Sequence, residues 1–538
     1  MPKPATLGTL TSAVISGVRS TLVTVEVYRG NGLPGETIVG LPGAAVRESL
    51  RRIHSACKQS GVTLGPRSTT VNLAPADHPK GGSGLDLPIA LGMLIAEGEL
   101  EPQRLADCVC LGELQLDGTV RSVPGTLPAA LAARDAGIKS LLVPEPNVAE
   151  AAAVECLDVV GVRSLADAID WARGGLTLAR PTRPAPAPPT VLVDLCEVAG
   201  HALARRALEI AAAGAHHLLM IGLPGSGKTL LARALPGILP DLALEEALEA
   251  SAVHSAAGRL SGSGLLTAPP FRAPHHTVTA AGLVGGGLPP RPGEVSLAHH
   301  GVLFLDELPE FRRPVLECLR QPLEEATLSL VRGDFHVTLP ARFQLVAAMN
   351  PCPCGQGADS DDCRCTLGQV RGYWRRLSGP LLDRLDLVVT VEPTDLGALI
   401  HDGPAPESSA AVRRRVVAAR RRQRQRFERL RAEMEDAGAA AEQGHAANRT
   451  SHSPAAAPTN AALPAAWLAR ACRLTPEQQR RAHEEAENLA ISARGWHRVL
   501  RVARTIADLA GRDEIVYADL AEAFQYRQQG AELSAASR

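Results

Sequence analysis

The string Gly222-Leu223-Pro224-Gly225-Ser226-Gly227-Lys228-Thr229 limits what this 538-residue chain can fold into more than any other feature. An apolar run, His217–Ile221, leads into it, and a helix-like segment, Thr229–Leu235, leads out. Its glycines let backbone N–H groups close around phosphate oxygens, and the following helix aims the positive end of its dipole at the same point. In that setting Lys228 reaches the β- and γ-phosphates of a nucleotide, and Thr229 ligands Mg2+. A strand–loop–helix of this kind belongs in a parallel sheet flanked by helices, and residues 191–398 alternate apolar strands with helices accordingly.

A second apolar strand, Val302–Leu305, delivers Asp306 and Glu307 at its C-terminal end. Asp306 would join Thr229 in the Mg2+ shell while Glu307 polarises the attacking water as general base, so the pattern predicts ATP hydrolysis. A third strand, Phe343–Met349, ends in Asn350, placed to touch the γ-phosphate or orient the water. Arg384, in Leu381-Leu382-Asp383-Arg384-Leu385-Asp386, precedes another apolar strand, Leu387–Val391. It is either a finger that stabilises charge on a neighbouring subunit's phosphate or the partner of Asp383 or Asp386 in a surface salt bridge. Arg494 opens a helix in Ser492-Ala493-Arg494-Gly495 and is placed to close over the nucleotide.

The organisation along the chain follows from composition and period. Residues 1–178 mix strand and helix periods and read as an α+β domain. Residues 179–190 are Pro-rich and form a stiff linker, and 191–398 form the nucleotide-binding core. Residues 399–464 hold an Arg-rich helix and an Ala-rich flexible insert, and 465–538 are helical throughout. The fold class is therefore α/β, with an N-terminal α+β domain, a P-loop parallel-sheet core and a C-terminal helical lid.

Together the P-loop, the Asp-Glu strand, the Asn-ending strand, the Arg384 segment and a helical lid carrying Arg494 resemble the AAA+ ATPases. More narrowly, FRAPHHTVTAAGLVGGG (271–287), PRPGEVSLAHHGVLFLDELPEF (290–311) and AAMNPCPCG (347–355) resemble the magnesium-chelatase-like branch. With residues 1–178 added, the chain resembles the YifB/ComM family. The resemblance implies a ring, expected to be hexameric, with ATP between subunits, Arg384 acting in trans, Asn350 as sensor 1 and Arg494 as sensor 2. It makes 271–290 an insertion projecting toward the pore. His275 and His276 lie there; two neighbours on a strand face opposite ways, so a shared metal is not expected.

Residues 1–178 resemble the Lon protease proteolytic fold through PKGGSGLDLPIAL (79–91) and AARDAGIKSLLVP (132–144). That fold uses a Ser–Lys dyad. The match places Gly84 where the nucleophile should be and Leu127 where the base should be, which predicts a non-proteolytic scaffold; a shifted dyad of Ser83 and Lys80 is the alternative.

Cys352, Cys354, Cys363 and Cys365 place four thiols within fourteen residues, compact enough to wrap one structural Zn2+, with reduced thiols or labile disulfides as alternatives. Arg413–Arg431 contains ten arginines and one acid, Glu428, which suits either a phosphate backbone or a solvated or inter-subunit helix. The 56 basic and 57 acidic residues give a net charge of -1, excluding a globally basic nucleic-acid coat. No run reaches the roughly 18 apolar residues that span a bilayer, and eleven cysteines without a leader predict a soluble cytoplasmic protein. The family's competence-associated members are linked to branch migration of recombination intermediates. The resemblance therefore implies an ATP-driven helicase or branch-migration motor on single-stranded or branched DNA. The alternatives are a motor remodelling a protein partner, a Lon-type protease and a DNA-binding scaffold that uses ATP as an assembly switch.

Overall fold

A computed structural model of the chain describes residues 6–175, 193–260, 264–333, 335–357, 360–393, 406–441, 459–489 and 491–536. The Pro-rich linker and most of the Ala-rich insert lie outside the described residues.

Seven strands build the N-terminal sheet: β1 (Thr6–Ser16), β2 (Arg19–Gly30), β3 (Gly35–Val39), β4 (Ser68–Ala74), β5 (Cys108–Cys110), β6 (Ser140–Pro144) and β7 (Asp158–Val162), in the order β3-β4-β2-β1-β5-β6-β7. β1 and β2 form an antiparallel hairpin, whereas β1-β5-β6-β7 pair in parallel. β4 alternates half-buried and buried residues, so one face meets the core. Helix α1 (Asp86–Glu97) is buried from Asp86 to Ala96 and lies against β1. A Cβ on Gly8 would sit 2.2 Å from the Gly92 carbonyl oxygen, and one on Gly92 would meet Val27 Cγ2 of β2 at 2.7 Å, so the helix packs this closely on the hairpin because both positions lack side chains. Beyond β5 the chain makes a short pairing of Glu113–Leu114 with Val120–Arg121.

The nucleotide-binding core is a five-stranded sheet of β8 (Leu218–Gly222), β9 (Phe271–Arg272), β10 (Val302–Leu305), β11 (Gln344–Met349) and β12 (Leu387–Val391). Its order is β9-β10-β11-β8-β12, and every pairing is parallel. β8, β10 and β11 are buried at every residue, as expected for strands covered on both faces. Helices α3 (Ala202–Gly214) and α4 (Lys228–Ile238) pack on this sheet. Helix α5 (Leu244–Ala256) faces the N-terminal unit, where α2 (Thr126–Asp135) docks on it. Leu127 N donates to Ser255 Oγ at 3.3 Å and Gly125 N donates to the Ser255 carbonyl at 2.9 Å. The C-terminal region is helical, as its pattern predicts. Its long members are α6 (Ser409–Ala441), α7 (Ala493–Leu509) and α8 (Tyr517–Ala536).

The N-terminal edge of the core sheet carries His216, His217, His299 and Asp386. Two of these imidazoles are locked neutral by geometry: His217 Nδ1 accepts from Leu345 N and His299 Nδ1 accepts from Arg342 N, both at 3.0 Å. Burial lowers each to about 4. The unfolded chain, with imidazoles near 6.5, therefore binds protons first. The stability contributed by the two neutral rings is complete above about pH 6.5 and is lost as pH falls toward about 4. The urea midpoint should decline steadily between those values and stay level from pH 7 to 8. A midpoint unchanged from pH 7 to 4.5 would contradict the desolvated placement.

Candidate active site

The P-loop closes as its residues require. A Cβ on Gly222 would meet the Val391 carbonyl oxygen at 2.2 Å, and Gly225 and Gly227 adopt φ +76 and +82. Lys228 is buried, which lowers its pKa. Its ammonium donates to the carbonyls of Gly222 (2.8 Å) and Leu223 (2.7 Å) and contacts Ser226 Oγ and Asn350 Oδ1, both at 3.4 Å. Thr229 Oγ1 donates to Asp306 Oδ2 at 2.7 Å, and Glu307 N donates to Asp306 Oδ1 at 2.9 Å. Lys228, Thr229, Asp306 and Asn350 thus meet at the C-terminal ends of β8, β10 and β11. Glu307 follows at φ +51, a left-handed conformation that a non-glycine residue adopts at a cost of about 1 kcal/mol and that recurs at functional sites.

Arg384 and Arg494 stand elsewhere. Arg384 precedes β12 at the opposite edge, pairs with Glu324 and donates to the Pro380 carbonyl rather than pairing with Asp383 or Asp386. Burial lowers its pKa, and Arg320, Arg498 and Arg494 lower it further. Arg494 is exposed and within electrostatic reach of Arg384, because α7 starts beside the same edge. One turn on, Arg498 donates to the Leu385 carbonyl at 3.3 Å. The start of α7, with Arg494, therefore sits beside Arg384.

The histidine pair also departs from expectation. Residues 275–278 form a turn and not a strand, with Val278 N donating to the His275 carbonyl at 2.9 Å. The two rings lie together, centroids 4.0 Å apart, and His276 reaches Glu307. Sequence periodicity missed this contact because it assumed extended backbone there.

The four thiols gather after Asn350 as their spacing predicts. All ligand atoms lie within 4.8 Å of one another, with Sγ separations of 3.3, 3.8 and 3.7 Å for 352–354, 352–363 and 354–363. Tetrahedral Zn2+ with Zn–S near 2.3 Å needs sulfurs about 3.8 Å apart, so the donor set fits a structural zinc. Backbone N–H of Gln356 and the Cys352 thiol draw the Cys354 thiol down to about 6, favouring the thiolate a metal binds. The loop they close rests on the P-loop, where a Cβ on Gly355 would meet Pro224 Cγ at 2.7 Å.

In the N-terminal unit, Ser83 Oγ donates to the Glu113 carboxylate and the buried Lys80 ammonium to the Pro75 carbonyl. The two groups of the shifted dyad turn to different partners. Leu127 is fully buried at the α2–α5 contact.

Within α6 the arginines divide. Arg413 pairs with Asp241, Arg415 with Glu209 and Glu407, Arg422 with Asp513 and Arg426 with the buried Asp508, while Arg420 donates to the Ala212 carbonyl. Arg414, Arg421, Arg424 and Arg429 are exposed.

Comparison with known proteins agrees with this architecture. Residues 194–399 match the family described as magnesium chelatase, subunit ChlI. Residues 25–147 and 406–527 match further segments of the ChlI subunit, the latter its C-terminal part. The chain is 43% identical over 528 residues to an uncharacterised protein of Mycobacterium tuberculosis, covering 98% of this chain and 99% of that one. It is 41% identical over 512 residues to the uncharacterised protein YifB of Escherichia coli, and 39% identical over 516 residues to the competence protein ComM of Haemophilus influenzae, with 95% of both chains covered each time. Among the described residues no helix is long and apolar enough to cross a membrane.

The approach of Gly355 to Pro224 yields a test. Gly355→Ala introduces a clash at 2.7 Å and strains a φ of +87, so it should displace Pro224 and weaken binding of a fluorescent ATP analogue several-fold. An unchanged Kd would mean that the cysteine loop does not support the P-loop.

Proposed function

The chain belongs to the YifB/ComM family of magnesium-chelatase-like AAA+ proteins, and on that premise we propose that it is an ATP-hydrolysing ring motor acting on DNA, a helicase or branch-migration factor in recombination or natural transformation. The observation that carries the reading is the meeting of Lys228, Thr229, Asp306 and Asn350 at one sheet edge while Arg384 stands at the other.

In this proposal the P-loop N–H groups from Gly222 to Thr229 and the Lys228 ammonium, released from the loop carbonyls, hold the β- and γ-phosphates. Thr229 and Asp306 hold Mg2+, which neutralises charge on the phosphate oxygens. Glu307 takes the proton of the attacking water, and Asn350, already 3.4 Å from Lys228 Nζ, orients that water. The five residues of β12 span about 16 Å, so Arg384 acts on a neighbour's phosphate, and Arg494 on the same edge serves the neighbour too. A site completed by a second copy requires a closed assembly, taken here as a hexamer. The four cysteines hold a structural zinc that braces the P-loop. The exposed arginines of α6 supply the phosphate contacts for single-stranded or branched DNA. The compartment is the cytoplasm, in keeping with eleven free thiols.

A motor that remodels a protein partner is the second reading, since the exposed face of α6 suits an acidic protein as well. A Lon-type protease is disfavoured by the separate partners of Ser83 and Lys80.

Steady-state ATPase should be measured at fixed salt without DNA and with single strands, duplex and a four-way junction. The expected result is a several-fold rise with DNA that Lys228→Ala abolishes; a rate indifferent to every DNA would favour the protein-remodelling motor.

Action in trans has its own test. Arg384→Ala and Lys228→Ala should each be inactive alone, yet mixing the two should recover part of the activity, because some interfaces then pair an intact Lys228 with an intact Arg384. Absence of recovery would place Arg384 outside the neighbour's site.

A further inference from the structure

The N-terminal edge of the core sheet opens into a cavity of about 650 Å³, within the roughly 300–1,000 Å³ of small-molecule sites. It is lined by residues leading into β8, β10 and β11, by the segment after α4, and by α6, α7 and residues 459–464. None of its lining residues belongs to the P-loop or to the group around Asp306 and Asn350. Phe343, which is buried, and Phe427, tilted against Trp467 with centroids 4.7 Å apart, give it apolar surface.

Three arginines line the same cavity: Arg342, Arg420 and Arg501. Arg420 donates through Nε and Nη2 to the Ala212 carbonyl at 3.1 and 2.7 Å. Arg501 donates through the same two nitrogens to the Leu463 carbonyl, also at 3.1 and 2.7 Å. Each guanidinium is thus fixed by one edge, and among the described residues Nη1 of each has no hydrogen-bond partner. Arg342 is exposed, with its backbone N–H held on His299 Nδ1, and its side chain pairs with no carboxylate among the described residues. The carboxylates of the wall are committed elsewhere: Asp241 to Arg413 at 2.6 Å, Glu324 to Arg384, and Glu246 to the Ala243 N–H at 3.0 Å. Burial lowers the pKa of Arg420 to about 10 and lowers that of Arg501; Glu246 and Asp386 oppose this without forming an ion pair with either. Partly desolvated cations without a paired counter-charge are an unfavourable state that an anion in the cavity would relieve.

We propose that this cavity is a second nucleotide site, distinct from the P-loop, that takes a nucleoside diphosphate or triphosphate. Phosphates supply the charge the wall lacks, because a guanidinium holds phosphate oxygens through charge-assisted N–H bonds. Arg342 and the unengaged Nη1 groups of Arg420 and Arg501 provide those bonds. A bare phosphate would leave Phe343, Phe427 and most of the volume in contact with water, whereas a planar base covers the rings. The inference does not depend on the reaction assigned to the P-loop, because the cavity shares no residue with it.

The test is photolabelling of the full-length protein with 8-azido-ADP, followed by mass mapping of the labelled peptides, in wild type, Lys228→Ala and Arg342→Glu. Wild type should carry label at two places, the P-loop region and the cavity segments 417–430 or 459–467. Arg342→Glu should raise the concentration for half-maximal cavity labelling roughly ten-fold or more. Its P-loop labelling, which also reports an intact fold, should stay at the wild-type level. Inorganic tripolyphosphate should displace the cavity label and adenosine should not. Lys228→Ala should weaken P-loop labelling and leave the cavity label in place. A cavity without label, a cavity label unmoved by Arg342→Glu, or one displaced by adenosine and not by tripolyphosphate overturns the proposal. So does loss of both labels together in Lys228→Ala, which would mean that the nucleotide reaching the cavity is held by a neighbouring copy's P-loop.

Discussion

All five core strands run the same way, and that single constraint divides the molecule's chemistry between two edges. Loops leaving the C-terminal edge carry the P-loop lysine, the paired carboxylates and Asn350. Segments entering at the N-terminal edge carry the imidazoles, Asp386 and Arg384. No rotamer change carries a side chain across a buried strand, so the separation is permanent. Asp386 shows how firmly the second edge is built. Burial raises its pKa, but His216 and Arg498 outweigh that and hold it well below the usual carboxylate range. Its Oδ2 also accepts from His217 N at 3.1 Å. Strand β12, strand β8 and helix α7 are joined at this one carboxylate, so the C-terminal helices are anchored to the edge opposite the P-loop.

What could be read from the sequence had chemistry that tolerates few substitutes. Gly225 and Gly227 need positive φ, Lys228 and Thr229 need fixed offsets from them, and a four-residue buried strand ending in Asp306 leaves little room for another meaning. Thiol spacing likewise brought Cys352, Cys354, Cys363 and Cys365 together. Strand β1 was missed because its inward positions are Gly8, Leu10, Ser12 and Val14, which do not alternate by polarity. Gly8 is there for close backbone approach, and Ser12 Oγ donates to the Cys110 carbonyl at 2.8 Å. The edge occupied by Arg494 and the partner of Glu307 were illegible for a different reason: each depends on a tertiary crossing or a tight turn, and no periodicity encodes either.

The arginine run of α6 shows how local charge misleads. On composition alone it suits a phosphate backbone or a solvated helix equally; in the fold about half of it is internal glue. Asp508 is fully desolvated and collects Arg426, Arg504 and Asn460. Removing one partner from such a cluster typically costs about 3–5 kcal/mol, far more than an exposed pair contributes, so these arginines are retained whatever the outer face does. Arg414, Arg421, Arg424 and Arg429 are left on the exposed face.

A last set of contacts joins the N-terminal unit to the nucleotide-binding core. Helix α5 receives α2 through Ser255 and, on the same helix, Glu249 accepts from His300 Nε2 at 2.6 Å and from His299 Nε2 at 3.3 Å. The trio has the composition of a metal site, but the tautomer argues otherwise. His299 Nδ1 already accepts the Arg342 N–H, so in the neutral ring Nε2 carries the hydrogen, and a metal would need the lone pair that this hydrogen occupies. The cluster is a latch between helix and strand. His299 and His300 lead directly into β10, which ends at Asp306 and Glu307. The helix that receives α2 is thus bonded through Glu249 to the residues leading into the strand that presents both carboxylates.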